Sequence, residues 1–325
     1  MHGQHLAVSL RSKEKATMID ERAAGTPVDP VVIDDFHLGQ PQIIATYLFR
    51  GAAPFLVDPG PTSTLGNLEA GLAAAGLSLA DVQAILLTHI HLDHAGATGT
   101  ILARYPHIQV YVHAEGAAHI IDPQRLMTSA GRLYGDMMDT LWGEMLPVPA
   151  ESLTTLRGGE TLQLGERSLQ VYDAPGHAPH HLIYFDMLSR AACIGDNGGC
   201  RLPGFEYISP TTPPPTINLE AWDKTLDLIR DLEPRMLLLT HFGRHDDVAA
   251  HLERYRRQLR HWAAVVQAGL ERGADQDSIE TDLLALERAA LPDAVARQQY
   301  QQASPVGLNA AGLARYWRKH NTNAS

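Results

Sequence analysis

Short apolar runs alternate along this chain with polar breaks rich in glycine and proline. Ala84-Ile85-Leu86-Leu87, Leu169-Gln170-Val171-Tyr172, Ala191-Ala192-Cys193-Ile194 and Met236-Leu237-Leu238-Leu239 each read as a strand leading into a loop. Other stretches repeat at helical spacing. Asp122 before Pro123 predicts an N-cap and a first helical residue. Leu126, Leu133, Met137, Leu141 and Met145 follow at helix-like steps, with Tyr134, Met138 and Trp142 beside them. Gly131, Gly135 and Gly143 weaken that helix. From residue 246, Val248, Leu252, Tyr255, Leu259, Trp262, Val266 and Leu270 mark one face of a long amphipathic helix. Two more helices are expected near 278–291 and 307–319, with breaks at Arg272-Gly273 and Leu291-Pro292. Residues 197–218, with Pro203, Pro210 and Pro213-Pro214-Pro215, exclude a helix or an inner strand.

The chemistry stands where the strands end. Thr88-His89-Ile90-His91-Leu92-Asp93-His94 follows the first run and places four metal-binding side chains within six positions. His89 and His91 alternate on an extended segment, so they point to one side. His177 follows the second run in Pro175-Gly176-His177, Asp196 follows the third after Gly195, and His241 ends the fourth after Thr240. Taken singly, each has a plain structural account as a loop histidine, a turn aspartate or a helix cap. Four strand ends all delivering His or Asp point instead to a built metal site, since backbone at an element's end can hold a ligand rigidly. Imidazole with carboxylate suits zinc, iron or manganese.

The pattern His-x-His-x-Asp-His, then Pro-Gly-His, Gly-Asp and Thr-His, in that order, resembles the metallo-β-lactamase superfamily over roughly residues 28 to 245. The resemblance implies an α/β fold: an αβ/βα four-layer sandwich of two mixed sheets with helices outside and metals at one edge. It implies that His89, His91 and His177 hold one divalent metal ion. Asp93, His94 and His241 would hold a second, with Asp196 bridging. Zinc is the first expectation for both, with iron or manganese as alternatives. Asp58, in Val57-Asp58-Pro59-Gly60, is similar to the family's early aspartate and is expected to order the metal loop without binding metal. His181 is read the same way, and His180 as a solvent-exposed extra. Asp93 and Asp196 are the expected catalytic carboxylates. The family's mechanism would use a metal-bridging hydroxide, so no Ser or Cys nucleophile is needed.

Departures within the family narrow the activity. True zinc β-lactamases usually lack the bridging Asp that stands here at 196. Flavodiiron-type reductases carry Glu where His91 stands. Acyl-homoserine lactonases tend to place Tyr where this chain has Gly199. The ligand set is most similar to glyoxalase II-like thioesterases, lactonases, phosphotriesterases and phosphodiesterases. The expectation is a hydrolase of a small, partly apolar ester-like substrate: thioester, carboxylic ester or lactone. Phosphotriester or phosphodiester cleavage is the alternative. A catalytically weak metal-bound sensor is the alternative of another class, and a persulfide oxygenase would need a mononuclear iron site.

Composition bounds the rest. The chain has 325 residues, 45% hydrophobic and 19% charged, enough to bury a full core. A net charge of −11 disfavours nucleic acid as a partner. No run approaches transmembrane length, and residues 1–27 read as a flexible arm without a signal-peptide core. Cys193 and Cys200 are read as reduced, and a cytoplasmic enzyme is the default. The expected organisation is therefore the arm, a metallo-β-lactamase-like domain at 28–245 with a helical insertion near 115–150, and a helical extension at 246–325. That extension could cover the cleft, pair two subunits as a homodimer, or only cap the sandwich. Met137, Met138 and Trp142 of the insertion, with Phe205 and Tyr207 after Asp196, are the candidate pocket residues. The same residues could equally be core packing or loop anchors.

Overall fold

Strand alternation decides where the core lies. In the computed structural model, which describes residues 28–322, two six-stranded sheets face each other. One runs β1 (Val31–Asp34), β2 (Ala45–Phe49), β3 (Phe55–Val57), β4 (Ala84–Leu86), β5 (Gln109–His113) and β6 (Leu153–Leu156) in chain order. The other contains β7 (Thr161–Leu164), β8 (Arg167–Asp173), β9 (Leu182–Asp186), β10 (Ala191–Cys193), β11 (Met236–Leu239) and β12 (Gly243–His245), ordered from β12 back to β7. Both are mixed. The steps from β3 to β6 are parallel, as is β10–β11, and the other neighbours are antiparallel.

Successive side chains on a strand face opposite ways. On β11, Met236 and Leu238 enter the core between the sheets, while Leu237 and Leu239 enter the outer layer. On β4, Ala84 and Leu86 face the partner sheet, while Ile85 and, just past the strand, Leu87 face the helices. Strands covered on both sides read as continuous apolar runs, which is what made them legible.

The outer layer on the first sheet comprises α1 (Leu65–Ala74), α2 (Leu92–Ala95), α3 (Thr98–Arg104), α4 (Ala114–Ile121), α5 (Gln124–Tyr134) and α6 (Met138–Leu141). On the second sheet lie α7 (Leu219–Asp231), α8 (Val248–Glu271), α9 (Gln276–Ala290) and α11 (Val306–Thr322). Between α9 and α11, α10 (Ala294–Ala303) inserts Ala296 and Tyr300 into the core between the sheets. The αβ/βα sandwich with a C-terminal helical region is thus present. No helix among the described residues is long and apolar enough to cross a membrane.

Two expectations change. The single helix expected after Asp122 is broken at Gly135, whose φ of 52° ends α5 before a short turn and α6. Three helices follow α8 where two were expected; α10 carries only Ala296 and Tyr300 as buried residues, too few to show periodicity. The expected arm at 1–27 lies outside the described residues. Cys193 and Cys200 are both buried and free, in keeping with the reduced reading.

Candidate metal centre and cleft

All seven candidate ligands come together at one edge of the sandwich. His89 and His91 stand on the extended segment after β4, and Asp93 and His94 on α2. His177 follows β8, Asp196 sits in the turn after β10, and His241 follows β11. Three groups fall within ligand distance of one another: His89, His91 and His177; His89, His94 and Asp196; and Asp93, His94 and His241. His89 Nε2 and His177 Nε2 each lie 2.9 Å from His91 Nδ1. Asp196 faces both sides: Oδ2 is 3.5 Å from His177 Nε2, and Oδ1 is 3.2 Å from His94 Nε2 and 3.6 Å from His241 Nε2.

The backs of the rings are held by acceptors. His177 Nδ1 lies 2.7 Å from the Thr211 carbonyl oxygen, His241 Nδ1 2.8 Å from that of Ile43, and His94 Nδ1 2.8 Å from Asp58 Oδ2. Carbonyl and carboxylate oxygens only accept, so Nδ1 carries the proton and Nε2 turns a lone pair to the centre. Asp58 binds none of the cluster's inner atoms. It accepts from the Thr88 backbone N–H at 2.8 Å, from Thr88 Oγ1 at 2.7 Å and from Thr240 Oγ1 at 3.0 Å. One buried carboxylate therefore ties the entry of the His-rich loop to β11 and to His94. Gly195, with φ +46°, leaves room for the same arrangement: a Cβ there would lie 2.6 Å from Thr88 Oγ1 and 2.7 Å from His181 Nε2.

The donor set fits divalent cations. Burial holds the His89 and His91 imidazoles well below their usual range, reinforced by neighbouring imidazoles, and burial lowers His177 too. Burial also opposes charge on His94, but Asp93, Asp196 and Asp58 outweigh it and raise His94 well above its usual value. His241 is raised in the same way by Asp196 and Asp93. The carboxylates thus favour protons on His94 and His241. A cation would supply that charge directly, and the lone pairs of the first three rings would otherwise face each other. His94 Nε2 and Asp196 Oδ1 are both buried without an aligned hydrogen-bond partner, as unfilled ligand atoms would be.

His181 stacks on His89 with ring centres 5.0 Å apart. His180 corrects its expected exposure: it is half-buried, stacked 6.2 Å from His89, and burial with its histidine neighbours pushes it down to about 3.

His91, Asp93, Asp196 and His241 also line a cleft of about 400 Å³, within the common range for ligand pockets. One wall is Leu126, Leu133 and Tyr134 of α5 with Leu141 and Trp142; another is Thr211 and Pro213-Pro214-Pro215; a third is the corner between α10 and α11. Trp142 is 9% exposed and stands in the wall as expected. The other pocket candidates stand elsewhere. Met137, in the turn after Gly135, is 48% exposed, and Met138 packs beneath the wall against the helical core. Phe205 and Tyr207 pack on Tyr300, with ring centres 6.3 and 5.0 Å away. The backbone bridge between Cys200 and Ser209 turns the chain back on itself, so Phe205 and Tyr207 lie in the loop it closes, and Thr211 beyond it returns to the His/Asp cluster.

Several lining residues escaped the sequence. His37 stacks on Trp142 at 5.3 Å, and Trp142 meets Tyr134 edge-on at 5.2 Å. The Tyr134 phenol is raised by burial and by the nearby Asp93 and Asp196 carboxylates. Thr211 donates its hydroxyl to the Asp196 carbonyl at 2.7 Å and gives its own carbonyl to His177. Asn309 of α11 receives the Thr212 N–H at 2.6 Å. No periodicity marks such contacts, and only the proline run hinted at the loop that carries them.

A four-layer sandwich with a His/Asp cluster at the strand ends is the architecture of a metal-dependent hydrolase class. The profile of the metallo-beta-lactamase superfamily matches residues 39–241, and the chain belongs to that superfamily. Its members are mostly hydrolases, and the cluster here is compatible with divalent metal ions. The chain is 24% identical over 207 residues to metallo-beta-lactamase fold-containing protein ST1585 of Sulfurisphaera tokodaii, covering 62% of this chain and 74% of that protein. It is 30% identical over 117 residues to a hydroxyacylglutathione hydrolase of Synechocystis, covering 36% of this chain and 34% of the hydrolase. The match therefore spans about a third of that enzyme's length. Among solved structures, metallo-beta-lactamase family protein TTHA1429 of Thermus thermophilus superposes with a TM-score of 0.64 at 23% identity, covering 86% of this chain and 89% of that one. ST1585 gives 0.61 at 21%, covering 84% and 93%. At these identities the likeness concerns the fold.

Proposed function

We propose that this protein is a binuclear metal-dependent hydrolase of small, partly apolar ester-like substrates, with thioester, carboxylic ester and lactone as the leading group. The observation that carries the reading is the convergence of seven His and Asp side chains from four strand ends, four of which, His91, Asp93, Asp196 and His241, form the floor of one apolar cleft. In this reading His89, His91 and His177 hold one ion, Asp93, His94 and His241 the other, and Asp196 faces both. Bound divalent ions would supply a Lewis acid and a water acidified from 15.7 to roughly 7. Zinc is the first candidate, with iron or manganese fitting the same donors.

The chain's own groups do the rest. Asp93, whose side chain is 20% exposed, is the ligand carboxylate open to the cleft and is placed to orient the attacking water. Water adds to the acyl carbon, the bond from that carbon to oxygen or sulfur breaks, and the departing alcohol or thiol takes the proton. Trp142, Leu133 and the prolines exclude bulk water from the acyl group. The relatives that are hydroxyacylglutathione hydrolases support thioester chemistry. Phosphodiesters fit less well, because among the described residues no lysine or arginine lines the cleft to meet a second anion.

The test is a matched panel of thioester, lactone, aryl ester, phosphodiester and phosphotriester, each with a chelated control. Chelator-sensitive turnover of the carbon esters is the expected result. Turnover of phosphorus esters alone would overturn the choice of centre. No turnover with metal bound would point to the sensor class.

A further inference from the structure

The cleft that opens on the metal centre has a chemical character of its own. Its floor is His and Asp; its walls are aliphatic, aromatic or uncharged amide and hydroxyl groups. Among the described residues, neither lysine nor arginine lines it. The protein as a whole carries a net charge of −11. An anionic group lying along the cleft walls, away from the metal ligands, would therefore meet no lysine or arginine. The glutathione moiety of a hydroxyacylglutathione carries carboxylates that would find no lysine or arginine in the cleft to pair with.

The mouth is apolar as well. Leu38 is 43% exposed and Leu133 is 48% exposed, and both line the cleft. Leu38 is held there at a cost. Phe36, Leu38 and Gln42 all have positive φ, of 47°, 53° and 64°, a conformation that non-glycine residues avoid. The Asp34 carboxylate holds this turn by accepting the Phe36 N–H at 3.0 Å and the Gln42 N–H at 2.8 Å. Gln302 of α10 adds a bond from its side-chain amide to the His37 carbonyl at 2.9 Å. Two apolar side chains left open to solvent at the lip of a cleft, one on a strained and braced turn, suit an apolar ligand.

The C-terminal helices complete the enclosure. Asn309 receives the Thr212 N–H, and the Ser304 hydroxyl donates to the Pro210 carbonyl at 2.8 Å, fixing the proline loop to the α10–α11 corner. Leu308 of that corner faces the same cleft as Trp142 and Leu133.

Building on the hydrolase reading above, we propose that this cleft selects an uncharged apolar acyl chain of medium length, and that Leu308 limits the chain length. The leaving group then stays outside, so a neutral thiol serves as well as glutathione.

The experiment uses metal-loaded full-length protein and thioesters of N-acetylcysteamine from acetyl to dodecanoyl in two-carbon steps, with octanoyl-glutathione beside them. Each methylene buried should raise kcat/KM about fourfold, up to an optimum between hexanoyl and decanoyl, with no advantage for the glutathione ester. Leu308→Trp should move the optimum to shorter chains and Leu308→Ala to longer ones, with metal content and Tm measured on each. A binding readout separates this inference from the hydrolase reading. N-methyl alkanamides of the same lengths should quench tryptophan fluorescence saturably, more tightly with length, and Trp142→Phe should remove most of that signal. Length-dependent binding without turnover would uphold the acyl cleft and sink the hydrolase. Chelator-sensitive turnover that is flat with chain length, or a strong preference for the glutathione ester, would overturn the acyl cleft and leave the hydrolase standing. Neither turnover nor binding would overturn both.

Discussion

Replacing Asp58 by Asn tests the claim that one buried carboxylate orders the whole metal loop. Asn has the same shape but brings two N–H donors in place of one oxygen. Asp58 Oδ1 receives the Thr88 backbone N–H, and Oδ2 receives Thr88 Oγ1, Thr240 Oγ1 and His94 Nδ1. If the amide nitrogen takes the Oδ1 place, two N–H groups oppose each other in a site with no exposure. If it takes the Oδ2 place, the hydroxyls can turn, but His94 must move its proton to Nε2 and lose the lone pair that faces the cluster. The first outcome leaves a buried donor unpaired, at about 1–3 kcal/mol. The second weakens metal binding about 10- to 100-fold, the usual effect of removing a ligand's supporting partner. Thermal unfolding should show a Tm lower by several degrees. Elemental analysis after dialysis against a chelator series should show one ion lost at lower chelator than in the native protein. An Asp58→Asn protein that keeps both its Tm and its metal retention would refute the reasoning.

Other outcomes follow from the same contacts. His94→Ala should strip mainly one of two ions, read as metal per chain; an unchanged ratio would refute the assignment of His94 to the second ion. Asn309→Ala leaves the buried Thr212 N–H without its acceptor and should cost about 1–3 kcal/mol while raising KM more than it lowers kcat; a pure kcat effect would place Asn309 elsewhere in the mechanism. His251, whose Nε2 bonds the Gly198 carbonyl at 2.9 Å, is lowered to about 3 by burial and by His245. The unfolded chain takes up that proton below about 6.5 and the folded one only near 3. Stability from this residue is thus complete above pH 6.5 and lost as pH falls, roughly 2 kcal/mol by pH 5. Chemical denaturation at pH 7 and pH 5 should show a smaller difference for His251→Asn than for the native protein.

The His/Asp cluster was legible because its residues are local to strand ends. A strand buried on both faces announces itself as an apolar run, and the first polar residue after it stands at the sheet edge. Four such edges carried His89 to His94, His177, Asp196 and His241. The cleft was not legible in this way. Its walls come from α5, the proline loop and the α10–α11 corner, which meet only after the sandwich closes. Closeness in sequence misled for Phe205 and Tyr207, because the Cys200–Ser209 bridge carries them away from Asp196. Met137 failed for a local reason: Gly135 breaks the helical phase that would have turned it inward. The helical tail was open among three roles, and Gln302 and Asn309 give it one of them, as a wall of the cleft.

The most direct test of the binuclear hydrolase reading is a zinc titration of chelator-stripped protein, following the rate on a medium-chain thioester against equivalents of metal added. The account predicts activity that is absent at the start and saturates at two equivalents per chain. Saturation at one equivalent would contradict the two-ion centre, and a rate indifferent to metal would contradict the hydrolase itself.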